Sequence, residues 1–167
     1  MKNRESGKWK WIFGLYLLIL FRLLVLKYSF HELEQILAGW KPDAVYEGAR
    51  EGNLVLFRTI RMYIDYYGQL NSFENLFGNI LVFIPVGIFY PLAFRGRYSK
   101  WFFLPVVLGI TIGIELTQLI SLLGKFDVDD ILLNCFGAVA GFIFFVAIRK
   151  IIWYYIHKNE NTNNIDG

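Results

Sequence analysis

The chain has one cysteine, Cys135, so no internal disulfide can form and its redox compartment leaves no mark on it. It has two histidines, His31 and His157, far apart and without ligand-like spacing around either. No Walker, Rossmann, HExxH or GxSxG pattern occurs, which removes the usual signatures of phosphate-loop, dinucleotide, zinc-protease and serine-hydrolase chemistry. Charged residues make up 19% and the net charge is only +3. The basic residues sit at the ends and in one short loop, a topology signal and not a nucleic-acid footprint.

What the chain does have is apolar length. Hydrophobic types reach 56%, aromatics 19%, and the mean hydropathy is +0.42. A soluble core of 167 residues has no room to hide four apolar runs, each long enough to cross roughly 30 Å of hydrocarbon. The reading is an all-α polytopic membrane bundle of four transmembrane helices, with an amphipathic, interfacial segment between the first two. Residues 1–10 read as a basic cytoplasmic start and 11–156 as the membrane domain. The spans are placed at 11–28, 72–94, 101–123 and 130–155, with an outer loop at 29–71. The Asn-rich stretch 157–167 reads as a disordered cytoplasmic tail. Lys and Arg in the short flanks put both termini in the cytoplasm of a cell membrane. In the outer loop, Phe30, Leu33, Leu37 and Trp40 fall near a helical period, as do Leu56, Ile60, Tyr63, Tyr67 and Leu70, so amphipathic helices at headgroup depth are expected.

Polar groups inside apolar runs are costly in lipid and usually face protein or a water-filled cavity. Here they are Asn75 and Asn79 in the second run, Glu115 and Gln118 in the third, and Asp127, Asp129, Asp130 and Asn134 around the start of the fourth. With both termini inside, all of them reach the outer half of the bilayer. Gln118 and Glu115 then lie roughly 8 and 12 Å below the outer end of their span, and Arg22 about 9 Å below that of the first. Helix capping explains one or two of the aspartates. Asp130, Asn134, Gly137 and Gly141 form one stripe, and Gly109 and Gly113 form a GxxxG pair on a face away from Glu115.

Two readings stay open. One is a polar network that fixes helix packing, with Arg22 as counter-ion to Glu115. The other, favoured by the surplus of carboxylates and amides, is an outer-leaflet pocket formed by Asn75, Asn79, Glu115, Gln118, Asp127, Asp130 and Asn134. Its expected partner is a membrane lipid or lipid-linked envelope precursor, with no nucleic acid, and self-association would use Gly109 and Gly113. No catalytic residue, cofactor or metal ligand set is assigned. The alternatives are a membrane enzyme using Glu115 and an aspartate as acid and base, or a structural protein whose cluster only fixes packing.

Three segments in order, Asn75-Leu-Phe-Gly-Asn79-Ile-Leu-Val-Phe-Ile-Pro85-Val-Gly87, Glu115-Leu-Thr-Gln118, and Phe126-Asp127-Val-Asp129-Asp130 through Asn134, Gly137 and Gly141, resemble the VanZ-like family. Asn53-Leu-Val-Leu-Phe57-Arg-Thr-Ile resembles the N-L-x-P-F segment of that family, with Leu56 where proline is frequent. The resemblance implies a small multi-pass membrane protein of Gram-positive-type bacteria. The founding member is associated with low-level resistance to the glycopeptide teicoplanin, so a role at the cell envelope, with a glycopeptide as a further partner, is implied.

Overall fold

A computed structural model of the chain describes residues 2–66, 72–94 and 99–163, with side chains at 7–66, 76–94 and 101–158. Seven helices follow one another: α1 Lys2–Leu24, α2 Phe30–Ala38, α3 Pro42–Glu51, α4 Arg58–Asp65, α5 Ser72–Ala93, α6 Ser99–Ile120 and α7 Val128–Asn163. Most of the basic loop expected after the second run, at 95–98, and Tyr67 and Leu70 fall outside the described residues.

Three of these helices, not four, are long and apolar enough to cross a membrane: α5 over Leu76–Ala93, α6 over Trp101–Ile120 and α7 over Val128–Lys158. The expected first span at 11–28 fails for two physical reasons. Helix α1 stops at Leu24, so its apolar part from Trp11 is roughly 21 Å long at 1.5 Å per residue, short of the hydrocarbon thickness. Its remaining turns carry Lys8 and Lys10, and Arg22 lies in its last turn. Helix α1 instead packs along α5. Phe13 meets Tyr90 and Phe94 edge-on, Trp9 and Tyr16 meet Phe89, and the Tyr16 hydroxyl donates to the Val82 carbonyl at 2.6 Å.

The tightest joint is between α5 and α7. A Cβ added at Gly137 or Gly141 would run into the carbonyls of Ile80 and Ile84, and one at Gly87 would run into the Ala138 carbonyl. The two backbones therefore touch with no side chain between them, as small residues allow in membrane helices, where van der Waals contact drives association. Gly109 and Gly113 behave differently: a Cβ there would meet nothing within 4 Å. They line an open groove of about 310 Å³ between α6 and Leu17, Leu20 and Phe21 of α1. Helix α5 runs through Pro85 and Pro91 without a break. Pro85 supplies no N–H for the carbonyl four residues before it.

Because α6 returns the chain, α5 and α7 start at the same end of the bundle. That distal end also holds α2, α3, α4 and the 121–127 turn. The last turns of α6 close on it through Leu122, whose left-handed φ of 60° lets the Leu123 and Gly124 N–H groups reach the Gln118 carbonyl at 2.9 and 3.2 Å. The distal segment is fastened there by side chains. Trp40 Nε1 donates to the Ile120 carbonyl at 2.7 Å, the Tyr28 hydroxyl to Leu123 at 2.9 Å, and Gln118 Nε2 to Leu24 at 3.0 Å. Helix α2 opens on a full capping box, in which Ser29 and Glu32 exchange hydrogen bonds. The hydrogen bond from Ser29 holds the Glu32 carboxyl below its usual range.

Candidate functional site

The acidic turn is tied to a stretch more than sixty residues earlier. The Asn53 N–H donates to Phe126 at 2.8 Å and the Val128 N–H donates to Asn53 at 3.0 Å, making an isolated parallel bridge between Asn53 and Asp127. Asp127 stands just before α7, and its side chain accepts the Asp129 N–H at 2.8 Å, an N-cap bond. Its carboxylate also accepts from Asn53 Nδ2 at 2.9 Å and from the Thr59 hydroxyl at 2.6 Å. It thus sits within a fastening between two chain segments.

Asp129 has the same office on a larger scale. It is 0% exposed. Its carboxylate accepts the N–H groups of Phe57 at 2.6 Å, Thr59 at 2.7 Å and Ile60 at 3.3 Å, with Asn53 Nδ2 at 3.3 Å. These are orphan donors of the first turn of α4, a helix with no cap from its own neighbours. Phe57 is in the left-handed region at φ 67°, costly for a residue with a Cβ, and a buried carboxylate on its N–H helps to hold it there. A cap drawn from another helix has no local signature. Asn53 and Thr59 are consequently the residues that spacing alone does not single out, although both lie in the segment carrying the family resemblance.

The remaining predicted residues lie deeper. Glu115 is 2% exposed and one of its oxygens accepts the Asp127 N–H at 2.9 Å, which joins α6 to the turn. Asp130, in the first turn of α7, accepts from Asn79 Nδ2 of α5 at 2.7 Å. Asn134, one turn further along α7, is 2% exposed, and its Oδ1 has no hydrogen-bond partner. Gln118 is spent on the Leu24 carbonyl, at the junction of α1 and α6. Asn75 lies in the first turn of α5, and its side chain falls outside the described residues.

The charge balance is one-sided. The charges of Asp127 and Asp130 act on Glu115, and those of Asp127 and Asp129 act on Asp130. Among the described residues, the cation that contributes at both Glu115 and Asp130 is Lys27, exposed beyond the end of α1. Arg22, expected as the counter-ion, donates instead to the Leu26 carbonyl on its own stretch of chain. Among the described residues, no three Asp, Glu, His or Cys side chains converge closely enough to hold a metal ion. The open cavity beside α4 and the groove between α1 and α6 are lined by other residues than Glu115, Asp130 and Asn134.

Three membrane-crossing helices, with buried carboxyls and amides where they meet a folded distal segment, define a multi-pass, all-helical membrane protein. The chain belongs to the VanZ/LLP1 family, which it matches over residues 13–151. No curated protein and no solved structure matches it.

Proposed function

We propose that this protein acts at the bacterial cell envelope by holding the polar headgroup of a lipid or lipid-linked precursor, and that the group held is a hydrogen-bond donor carrying positive charge. The observation that carries this reading is a buried acceptor with no donor, set among carboxyls. The Asn134 Oδ1 is a buried acceptor without a donor, and it stands one turn along α7 from the Asp130 carboxyl and its Asn79 amide. Glu115 adds a further carboxyl, and the cation acting on both is an exposed lysine. An unsatisfied buried acceptor costs about 1–3 kcal/mol. An ammonium supplies three donors and one charge, which complements such a set. Orientation is part of the same proposal. The distal end faces outward, since Arg149, Lys150 and Lys158, near the far end of α7, belong to the opposite end. The site would then meet a lipid or lipid-linked precursor in the outer leaflet.

A purely structural role has its own support in the bond between Glu115 and the Asp127 N–H. Two isosteric changes separate the readings. Glu115→Gln and Asp130→Asn keep an acceptor oxygen for Asp127 and for Asn79 while removing the charge. Lipids retained through purification would be identified in wild type and in both variants. Loss of an amine-bearing lipid at unchanged thermal stability supports the headgroup site, and an unchanged lipid complement overturns it. In a susceptible strain, wild type is expected to lower teicoplanin sensitivity more than vancomycin sensitivity. Equal protection by Glu115→Gln would remove the site from that phenotype.

A further inference from the structure

We infer that α4 and the loop before it form a second lipid contact, of opposite sign, which seats the phosphate of an anionic phospholipid at the membrane boundary. Leu56, Phe57, Met62 and Tyr66 are all exposed, and they line an open cavity of about 790 Å³ together with Arg58 and Arg61. Large exposed apolar patches on a folded segment mark an interaction surface. Two guanidinium groups against one carboxylate, Asp65, leave the lining net positive. Neither Arg58 nor Arg61 takes part in an ion pair among the described residues; the pair found there is Lys125 with Glu51. Guanidinium pairs phosphate oxygens in a planar, bidentate fashion.

Position selects the occupant. The Thr59 hydroxyl and N–H bond to Asp127 and Asp129, at the start of α7, whose membrane-crossing stretch opens at Val128. The first turn of α4 is therefore level with the end of a span, at headgroup depth. Helix α4 packs against both α5 and α7, so this height is fixed by contacts and not only by tethering. An apolar rim at that depth meets upper acyl chain, and the arginines meet phosphate. An anionic bilayer leaflet complements both parts of this surface. This contact does not depend on the headgroup site around Asp130.

The test is native mass spectrometry of the full chain, released from detergent after titration with phosphatidylglycerol or with phosphatidylcholine of the same acyl chains. Wild type is expected to retain phosphatidylglycerol at least fivefold better. Arg58→Gln with Arg61→Gln should erase that preference, and Arg58→Lys with Arg61→Lys should restore part of it. Equal retention of the two lipids by wild type overturns the inference without reference to any variant. So does a glutamine pair that keeps the preference, or displacement of the lipid by millimolar inorganic phosphate, which would mark a site for free anion. Retention of amine-bearing lipid in the same spectra reads the Asp130 site separately.

Discussion

The Asp129 carboxylate accepts the backbone N–H of Phe57 at 2.6 Å, across 72 residues of chain. Through that bond and its neighbours, a membrane-crossing helix provides the cap for a short helix that has none of its own. Asp129→Ala would leave several donors of the first turn of α4 unpaired. Hydrogen bonds to a charged group are worth about 1.5–3 kcal/mol each, so a loss of about 3 kcal/mol or more in stability is expected. Amide exchange at Phe57, Thr59 and Ile60 should rise well before that of α5 or α7. Uniform exchange across all helices would mean that the cap is not what orders α4.

The glycines make opposite predictions on two faces. Gly137→Ala and Gly141→Ala place a methyl group on the carbonyls of Ile80 and Ile84. Overpacking of this kind costs about 1–3 kcal/mol, and here the obstruction is backbone, so the upper end is expected. Gly109→Ala meets open space, and alanine favours helix by close to 1 kcal/mol. Unfolding in mixed detergent should show the first two destabilised and the third unchanged or more stable.

Glu115 can be tested within its own helix. Glu115→Ala removes the acceptor for the Asp127 N–H, leaving a donor unpaired at a cost of about 1–3 kcal/mol. Glu115→Gln keeps the acceptor, so its melting temperature should stay closer to wild type. If the two variants melt together, the bond to Asp127 contributes nothing measurable.

The pair of Glu51 and Lys125, 2.6 Å apart, is exposed. The hydrogen bond from Lys125, and then its charge, hold the Glu51 carboxyl below the ordinary 4.5. A lowered carboxyl contributes its stability above that ordinary value and loses it as pH falls through the lowered one. Carboxyl-carbon NMR should show Glu51 titrating low in wild type and returning toward the ordinary value in Lys125→Ala. High salt should shrink the difference, since exposed pairs are screened.

Much of this architecture is legible in the sequence, for different reasons in different places. The stripe of Asp130, Asn134, Gly137 and Gly141 marks a real helix face, because side chains spaced by three and four residues share one side whatever packs against them. The three long apolar runs show themselves by hydropathy. The run from Trp11 misleads because hydropathy continues through Val25 and Leu26 after the helix has stopped at Leu24. Gly109 and Gly113 permit close approach, but no described part of this same chain takes it up. Least legible is the joining of Asn53 and Thr59 to Asp127 and Asp129. It arises from backbone pairing between distant segments, which no periodicity records. Arg22 looks like a counter-ion by its place in the sequence, and only the fold shows that it bonds to the Leu26 carbonyl instead.

The glycine joint also limits how this protein can move. Helices α5 and α7 run parallel, with the Ile80 carbonyl on Gly137 and the Ile84 carbonyl on Gly141. Sliding α7 by one turn along α5 would bring Leu133 onto the Ile80 carbonyl in one direction and Phe145 onto the Ile84 carbonyl in the other. Neither side chain fits where a glycine now lies. A piston stroke between these two helices is therefore blocked in both directions. Any signal that crosses the membrane through them has to travel as a tilt or a rotation of the pair as one post.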